Sequence, residues 1–404
     1  MLSLPRTAAP HAGAGAVLKI IRATGRSTRA ELAEATGLSR STLSDRLDAL
    51  MASELVREAG LLPSNGGRPR GTLELNPSGG LLLVADVGAT RTRLALLDLA
   101  ATALGEVSET IAVADGPSAV LERITEVFGG LLRSAGRREE ELRGIALGLP
   151  GPVSFATGRP VHPPLMPGWH EFPVRDWFVD RYSVPVVVDN DVNLMAFGEQ
   201  QTWFDDCAHL LFVQVGAGIG CGICANGRIL RGAEGAAGDV GHIRVGGRDE
   251  ARCNCGNQGC LEAVAGGATI AARLADAGRE ATGSEDVARL ANAADPLANR
   301  LVREAGRYVG EVLAGCVSLF NPGAIVIGGP LMQAPQPLLA GVREVTIGRS
   351  PPLATRHLRV VPSRLGERAG VVGAGLLLCE HVLAPAAIDR ALELGATRRT
   401  RPPQ

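Results

Sequence analysis

One imidazole and three thiols crowd into nineteen positions of this chain, as His242, Cys253, Cys255 and Cys260, in the pattern His-x10-Cys-x-Cys-x4-Cys. One histidine and three cysteines make a closed tetrahedral donor set, and soft thiolates select zinc over magnesium or calcium. With no open position, such a shell predicts a structural ion and not one that activates water. The alternative is three free buried cysteines. Gly256 and Gly259 argue against it, because they let the loop curl tightly around an ion. Cys221 and Cys224 form a second Cys-x-x-Cys, but inside an apolar strand without further donors, which predicts core packing.

A second group runs Val186-Val187-Val188-Asp189-Asn190-Asp191-Val192-Asn193, an apolar strand ending in polar residues before a helix from Leu194. The carboxyl ends of parallel strands are where α/β proteins bind ligands, and carboxylates and amides there suit the donor and acceptor hydroxyls of a sugar. Asp191 could also deprotonate a hydroxyl in phosphoryl transfer. A turn with a helix cap would need only one Asp or Asn.

A third group is two glycine turns after apolar strands, Asp86-Val87-Gly88-Ala89-Thr90-Arg91 and Gly216-Ala217-Gly218-Ile219-Gly220. Exposed backbone N–H groups in such turns can cradle phosphate, with Gly88, Thr90, Gly216, Gly218 and Gly220 as the candidates. A single turn of this kind says little, since tight turns use glycine anyway. Two at matching places in two halves point to a duplicated, actin-like phosphate-binding fold.

These groups need elements to hold them. The clearest strands are 81–87, 93–99, 144–149, 184–189, 209–215 and 324–327, and the clearest helices are 117–135 and 296–320. Strands alternating with helices read as α/β. Before them lies a different texture. Val17, Ile20 and Ile21 begin one helix, and Thr28 can cap a second carrying Leu32 and Ala33. Thr36-Gly37-Leu38 makes a turn, and Ser39 can cap a third helix to about Ser53 with Leu43, Leu47 and Leu50 on one face. Two strands, 55–58 and 71–75, flank Ser64-Asn65-Gly66-Gly67-Arg68-Pro69-Arg70, a hairpin with a basic tip. The order is that of a winged helix-turn-helix. Ser39, Arg40, Ser41, Thr42, Ser44 and Arg46 would meet the major groove, and Arg68 and Arg70 the minor groove or phosphates. A three-helix packing module is the alternative, and the basic wing tells against it.

The whole is 404 residues, 46% apolar, with net charge −1. No apolar run reaches the ~18 residues that span a bilayer, and no signal-peptide layout begins the chain, so no membrane partner and a cytoplasmic location are expected. Eight cysteines are too sparse for a disulfide scaffold. Residues 1–76 carry ten Arg/Lys against seven Asp/Glu, which permits DNA binding without demanding it. The expected layout is a winged helix over 14–76, a linker at 77–80, and two α/β lobes at 81–190 and 191–383. The last helix of the second lobe returns towards the first, and a disordered tail fills 384–404.

Together these residues resemble the ROK family of repressors, reading frames and sugar kinases, from about residue 14 to about residue 383. The likeness rests on DVGATRTRLALLD from Asp86, GLPGPV from Gly148, DNDVN from Asp189, VGAGIGCGI from Val215, GAAGDVGH from Gly235 and CNCGNQGCLE from Cys253. The resemblance implies a winged helix followed by an actin-like (ribonuclease H-like) two-lobed sugar-kinase fold. It implies a sugar held by Asn190, Asp191, Asp239, His242 and Glu262, with a backbone contact from Gly151. His242 would then bind zinc through one ring nitrogen and a sugar hydroxyl through the other, so the ion sets the tautomer and aim of the ring.

The winged helix places the chain among the family's sugar-responsive regulators, expected to repress, binding an operator as a homodimer or homotetramer with a sugar or sugar phosphate as effector. The alternative is a kinase using ATP and magnesium with Asp191 as base. Ala89-Thr90-Arg91 stands where the family's kinases usually have Gly-Thr-Lys, and Ala217 where they favour Thr, changes that weaken phosphate contact. Asp239 replaces the usual Glu and is one methylene shorter, which alters the reach to the sugar. A third reading, a DNA-tethered scaffold with a vestigial pocket, conflicts with the intact Asn190, Asp191, His242 and Glu262.

Overall fold

Apolar residues at helical spacing build the N-terminal unit, and the computed structural model describes residues 13–62, 70–89 and 91–399. Helices α1 (Ala14–Thr24), α2 (Arg29–Thr36) and α3 (Arg40–Ala52) bury Val17, Leu18, Ile21, Leu32, Leu43, Leu47 and Leu50 together. Each such side chain taken out of water contributes about 2 kcal/mol. Thr28 starts α2 with a full capping box: its hydroxyl accepts from the Glu31 amide, and the Glu31 carboxylate accepts from the Thr28 amide. Gly37, at φ 68°, ends α2 in the left-handed region, which glycine enters without steric cost. Strand β1 (Ser27–Thr28) pairs with β3 (Arg70–Leu75), and β3 pairs with β2 (Val56–Leu62). The sequence reading missed β1 because two residues are too short to show alternation.

Two sheets of identical plan follow. The first contains β4 (Leu81–Val87), β5 (Arg91–Asp98), β6 (Ala103–Thr110), β7 (Leu142–Leu149) and β10 (Val186–Asn190), in the order β6-β5-β4-β7-β10. A small hairpin, β8 (Val153–Ser154) with β9 (Arg159–Pro160), leaves its cleft edge. Helices α4 (Pro117–Ser134) and α5 (Val174–Tyr182) cover it, burying Phe128, Trp169 and Phe178. After α6 (Asp191–Trp203) comes the second sheet, from β11 (His209–Val215), β12 (Ile219–Ala225), β13 (Arg228–Ile229), β14 (Ala324–Gly328) and β15 (Arg359–Pro362), in the order β13-β12-β11-β14-β15. In both sheets two antiparallel pairings are followed by two parallel ones. Parallel neighbours require helical crossovers. The second lobe uses α7 (Leu261–Ala265), α8 (Gly267–Asp276), α9 (Ser284–Asn292), α10 (Pro296–Phe320), α11 (Pro335–Arg349) and α12 (Pro352–Thr355). The duplication suggested by the two glycine turns is thus a duplicated sheet.

The C-terminal tail departs from expectation. Helix α13 (Ala369–Val382) packs against β4, β7 and α6. Glycines set its distance from α6: a Cβ on Gly373 would stand 1.8 Å from the Leu194 carbonyl oxygen, and one on Gly198 2.6 Å from that of Ala369. Residues 384–404 were expected to be a disordered tail, yet Pro385–Arg399 form helix α14, which packs on α1. Ile388 is buried there, and the Asp389 carboxylate accepts from the Gly15 amide at 2.9 Å. Asp389 thereby caps α1 from the far end of the chain, a contact that local composition does not reveal. Residues 77–80 likewise form no free linker. The Pro77 carbonyl accepts from Leu99, and a Cβ on Gly79 would meet the Glu54 carbonyl at 2.1 Å, so the joint is packed shut. Among the described residues, no single helix is long and apolar enough to cross a membrane.

Candidate metal centre, ligand cleft and DNA-reading surface

His242, Cys253, Cys255 and Cys260 come together, their donor atoms all within 4.8 Å of one another. Positive φ at Gly256 (90°) and Gly259 (73°) lets the loop fold back, with Cys253 N–H donating to Asn257 O and Val245 N–H to Gly259 O. The spacing can be tested against an ion. Zn–S of about 2.3 Å and Zn–N of about 2.0–2.1 Å give tetrahedral edges of about 3.8 Å between sulfurs and about 3.6 Å between sulfur and nitrogen. Cys255 Sγ lies 3.7 Å from Cys260 Sγ, and Cys253 Sγ lies 3.6 Å from His242 Nδ1. The four residues therefore fit a tetrahedral metal. His242 turns Nδ1 to the thiols, leaving Nε2 on the side of Asp239, 3.9 Å from its Oδ1.

That side is a cleft between the lobes. Gly151, Asn190, Asp191, Asp239, His242 and Glu262 all line it, as do Gly218 and Gly220 of the second glycine turn. The Asn190 side-chain NH2 donates to the Gly151 carbonyl at 2.9 Å, while its Oδ1 accepts from the amides of Val192 and Asn193. Asn190 is thus the cap of α6 and at once ties together two walls of the cleft. Glu262 Oε2 accepts from Ile219 N–H at 3.1 Å, and a Cβ on Gly218 would stand 2.4 Å from the same oxygen. The glycine is there to let the carboxylate reach the turn.

Two candidates fall elsewhere. Gly88 and Gly216 do not line the cleft. Their amides are spent within their own turns, on Arg91 O and Gly218 O, both at 2.9 Å. Thr90 lies outside the described residues. Of the polar run, Asp189 turns away from the cleft and pairs with Arg231, while Asn193 donates to Asp189 Oδ1. The run thus supplies the cleft with Asn190, Asp191 and Asn193 and spends Asp189 as their support. Arg231 had no signal in the sequence, lying 42 residues from its partner.

Asp191 of the cleft wall has a second buried carboxyl, Asp86, as its neighbour. Asp191 is 4% exposed and Asp86 8%. Burial raises Asp86 to about 7, with Arg93 opposing. Burial, then the neighbouring charge of Asp86, hold Asp191 well above the ordinary carboxylate range, the Val192 amide pulling the other way. Asp86 Oδ1 has no hydrogen-bond partner among the described residues, and a Cβ on Gly370 would stand 2.1 Å from Asp86 Oδ2. The N-terminus of α13 thus rests on the Asp86 carboxylate.

In the N-terminal unit Ser39, Arg40, Ser41 and Arg46 are exposed along α3, with Thr42 and Ser44 half-buried. The Ser39 hydroxyl caps the helix by accepting from Thr42 N–H at 3.2 Å. Arg40 and Arg46 make no ion pair with any described residue, which leaves both guanidiniums available to phosphate or base edges. Arg70 enters β3 through its backbone pairing with Leu62, and Arg68 lies outside the described residues.

Comparison with known proteins agrees with this division. A winged helix-turn-helix DNA-binding model matches residues 15–57, and the model of the ROK family matches residues 83–381. A putative xylose repressor of Caldicellulosiruptor sp. (strain Rt8B.4) is 29% identical over 373 residues, 88% of this chain and 92% of the relative. A glucokinase of Halalkalibacterium halodurans is 33% identical over 309 residues, 72% of this chain and 93% of its own. The crystal structure of a ROK family transcriptional regulator, a homolog of the E. coli MLC protein, superposes with TM-score 0.79 at 27% identity, covering 94% of this chain and 98% of that one. The similarity to the repressor and the regulator runs through the winged helix, whereas the kinase match spans a shorter share. With its family match covering most of the chain, this protein belongs to the ROK family, in the form that carries an N-terminal winged helix-turn-helix.

Proposed function

We propose that this protein is a sugar-responsive transcriptional regulator, a repressor, that binds an operator through α3 and the wing and reads a sugar or sugar phosphate in the cleft beside a structural zinc. The observation that carries it is the joint placement of His242, at once part of the thiol cluster and part of the cleft wall, with Asn190, Asp191, Asp239 and Glu262. Asn190, Asp191, Glu262 and the Nε2 of His242 offer both donors and acceptors to hydroxyls. Zinc held by His242, Cys253, Cys255 and Cys260 would fix the ring's tautomer and aim.

The route to DNA is short. Helix α6 begins at the sugar residues and crosses α13 in backbone contact; α13 leads into α14, which caps α1 of the winged helix. A sugar that closes the two lobes would move α6 against α13 and so reorient the winged helix, with differential affinity for two states as the source of the response. Paired recognition helices must meet half-sites about one helical turn apart, so a dimer, or a tetramer of two dimers, is the assembly this reading requires.

Asp191 also supports a second reading, since its carboxyl lines the cleft where a sugar hydroxyl would stand and burial makes it a stronger base than an exposed carboxylate. The altered turns at Ala89 and Ala217 and the spent amides of Gly88 and Gly216 weigh against phosphoryl transfer. Calorimetry with hexoses, pentoses, N-acetylhexosamines and their phosphates, run beside a coupled ADP-release assay with ATP and magnesium, separates the two. Binding without ADP release supports the regulator; ADP release abolished by Asp191→Ala supports the kinase.

A further inference from the structure

Asp189 is 1% exposed, yet it faces away from the cleft. Its Oδ2 accepts from Arg231 Nε at 2.9 Å and Nη2 at 2.6 Å, and its Oδ1 accepts from the Asn190 amide at 2.8 Å and the Asn193 side chain at 3.0 Å. The Arg231 guanidinium carbon lies over the ring of Phe155, 3.7 Å from its centroid. Phe155 is itself fixed, because Arg175 donates to its carbonyl at 2.7 Å. Asp189 and Phe155 belong to the first lobe, and Arg231 follows β13 of the second.

Arg231 opens the loop that walls the cleft. Its carbonyl accepts from Ala237 N–H at 3.0 Å, closing residues 231–237 into one turn. Ala236, Ala237, Gly238 and Asp239 then line the cleft. The same loop touches the first lobe again at Gly235, whose φ is 91° and whose Cβ would stand 2.4 Å from the Val153 carbonyl. One side chain therefore joins the strand end bearing Asn190 and Asp191 to the loop bearing Asp239.

We infer that Arg231 is a positioning residue for sugar recognition, a latch across the lobes that sets the spacing of Asn190 and Asp191 from Asp239. The inference rests on the sugar-reading assignment above. Two guanidinium N–H groups converge on the single Oδ2 of Asp189, a charge-assisted contact that fixes the plane of the arginine, and the ring of Phe155 restricts it further from one side. Lysine would keep the charge without the fork or the stacking plane.

The test uses the full-length, zinc-loaded protein and the variants Arg231→Gln, Arg231→Lys and Phe155→Leu. Glutamine retains a donor for Asp189, so the carboxylate is not left bare. Sugar affinity is measured by calorimetry on the same panel, together with zinc content, sugar-free operator affinity and hydrogen exchange of the amides of residues 232–238. The expected result for Arg231→Gln is at least a tenfold loss of affinity for the best-bound sugar and at least tenfold faster exchange in the loop. Arg231→Lys and Phe155→Leu fall between it and the wild type, and all three variants keep zinc and sugar-free operator affinity within twofold. Sugar affinity within twofold of wild type in Arg231→Gln overturns the inference. So does joint loss of zinc and operator binding, which would make the network one of folding alone. If the wild type binds no sugar, the reading of the cleft fails, and exchange alone decides the latch: faster exchange upholds it and unchanged exchange refutes it.

Discussion

Replacing Asp86 by Asn should stabilise this protein in alkali far more than in acid. The Asp86 carboxyl is buried, its Oδ1 lacks a partner among the described residues, and burial raises it from 3.8 to about 7. A carboxyl raised in the folded state keeps its proton there after the unfolded chain has lost it. Below about pH 3.8 the group costs nothing; as pH rises from 3.8 through 7 the unfolded state gains relative stability, and above 7 the penalty is constant. A shift of about three units is worth about 4 kcal/mol. Asparagine has nearly the same shape and no charge to bury. Its gain at pH 8 should exceed its gain at pH 5 by about 3 kcal/mol, because about two units of the shift lie between those pH values. Urea unfolding of both proteins at the two pH values measures the difference. An equal change at both, or a variant less stable than wild type at pH 8, would refute the reasoning.

Two further perturbations probe the metal and the C-terminal helix. If the proposed zinc is bound, Cys255→Ser should lower the metal content and weaken sugar binding with it, because the ring of His242 loses its anchor; elemental analysis alongside calorimetry reads both, and full sugar affinity without zinc would contradict the link. Asp389→Ala removes the cap that α14 supplies to α1, a loss of about 1 kcal/mol. Faster hydrogen exchange should follow in residues 14–24 with sugar affinity unchanged, and unaltered exchange there would show that the contact does not hold the helix.

What was legible in the sequence was local. Helix α10 begins at Pro296 behind the capping Asp295 and ends at Phe320, and β4 and β11 fall on the expected apolar runs, because caps and periodicity are written in neighbouring residues. The His242 and cysteine cluster was legible for the same reason, its thiols lying within eight positions. The features that escaped are pairings across long separations: Asp389 with Gly15, Asp189 with Arg231, and Gly79 against Glu54. Residues 384–404 were read as a tail from Arg398, Arg399, Arg401 and the prolines that follow, whereas α14 before them is ordered by the face of α1 it covers. From the polar run at 189–193, Asn190 and Asp191 were the sugar candidates, and the support that Asp189 gives them through Arg231 had no local signal.

The coupling of cleft to operator is tested most directly by titrating the protein's binding to its own upstream DNA with and without the sugar that calorimetry identifies. A coupling free energy of the usual 1–3 kcal/mol changes operator affinity about 5- to 150-fold. The account predicts a change in that range that is abolished in Asn190→Ala while sugar-free operator affinity stays as in wild type. A sugar that binds in the cleft and leaves operator affinity unaltered would contradict it.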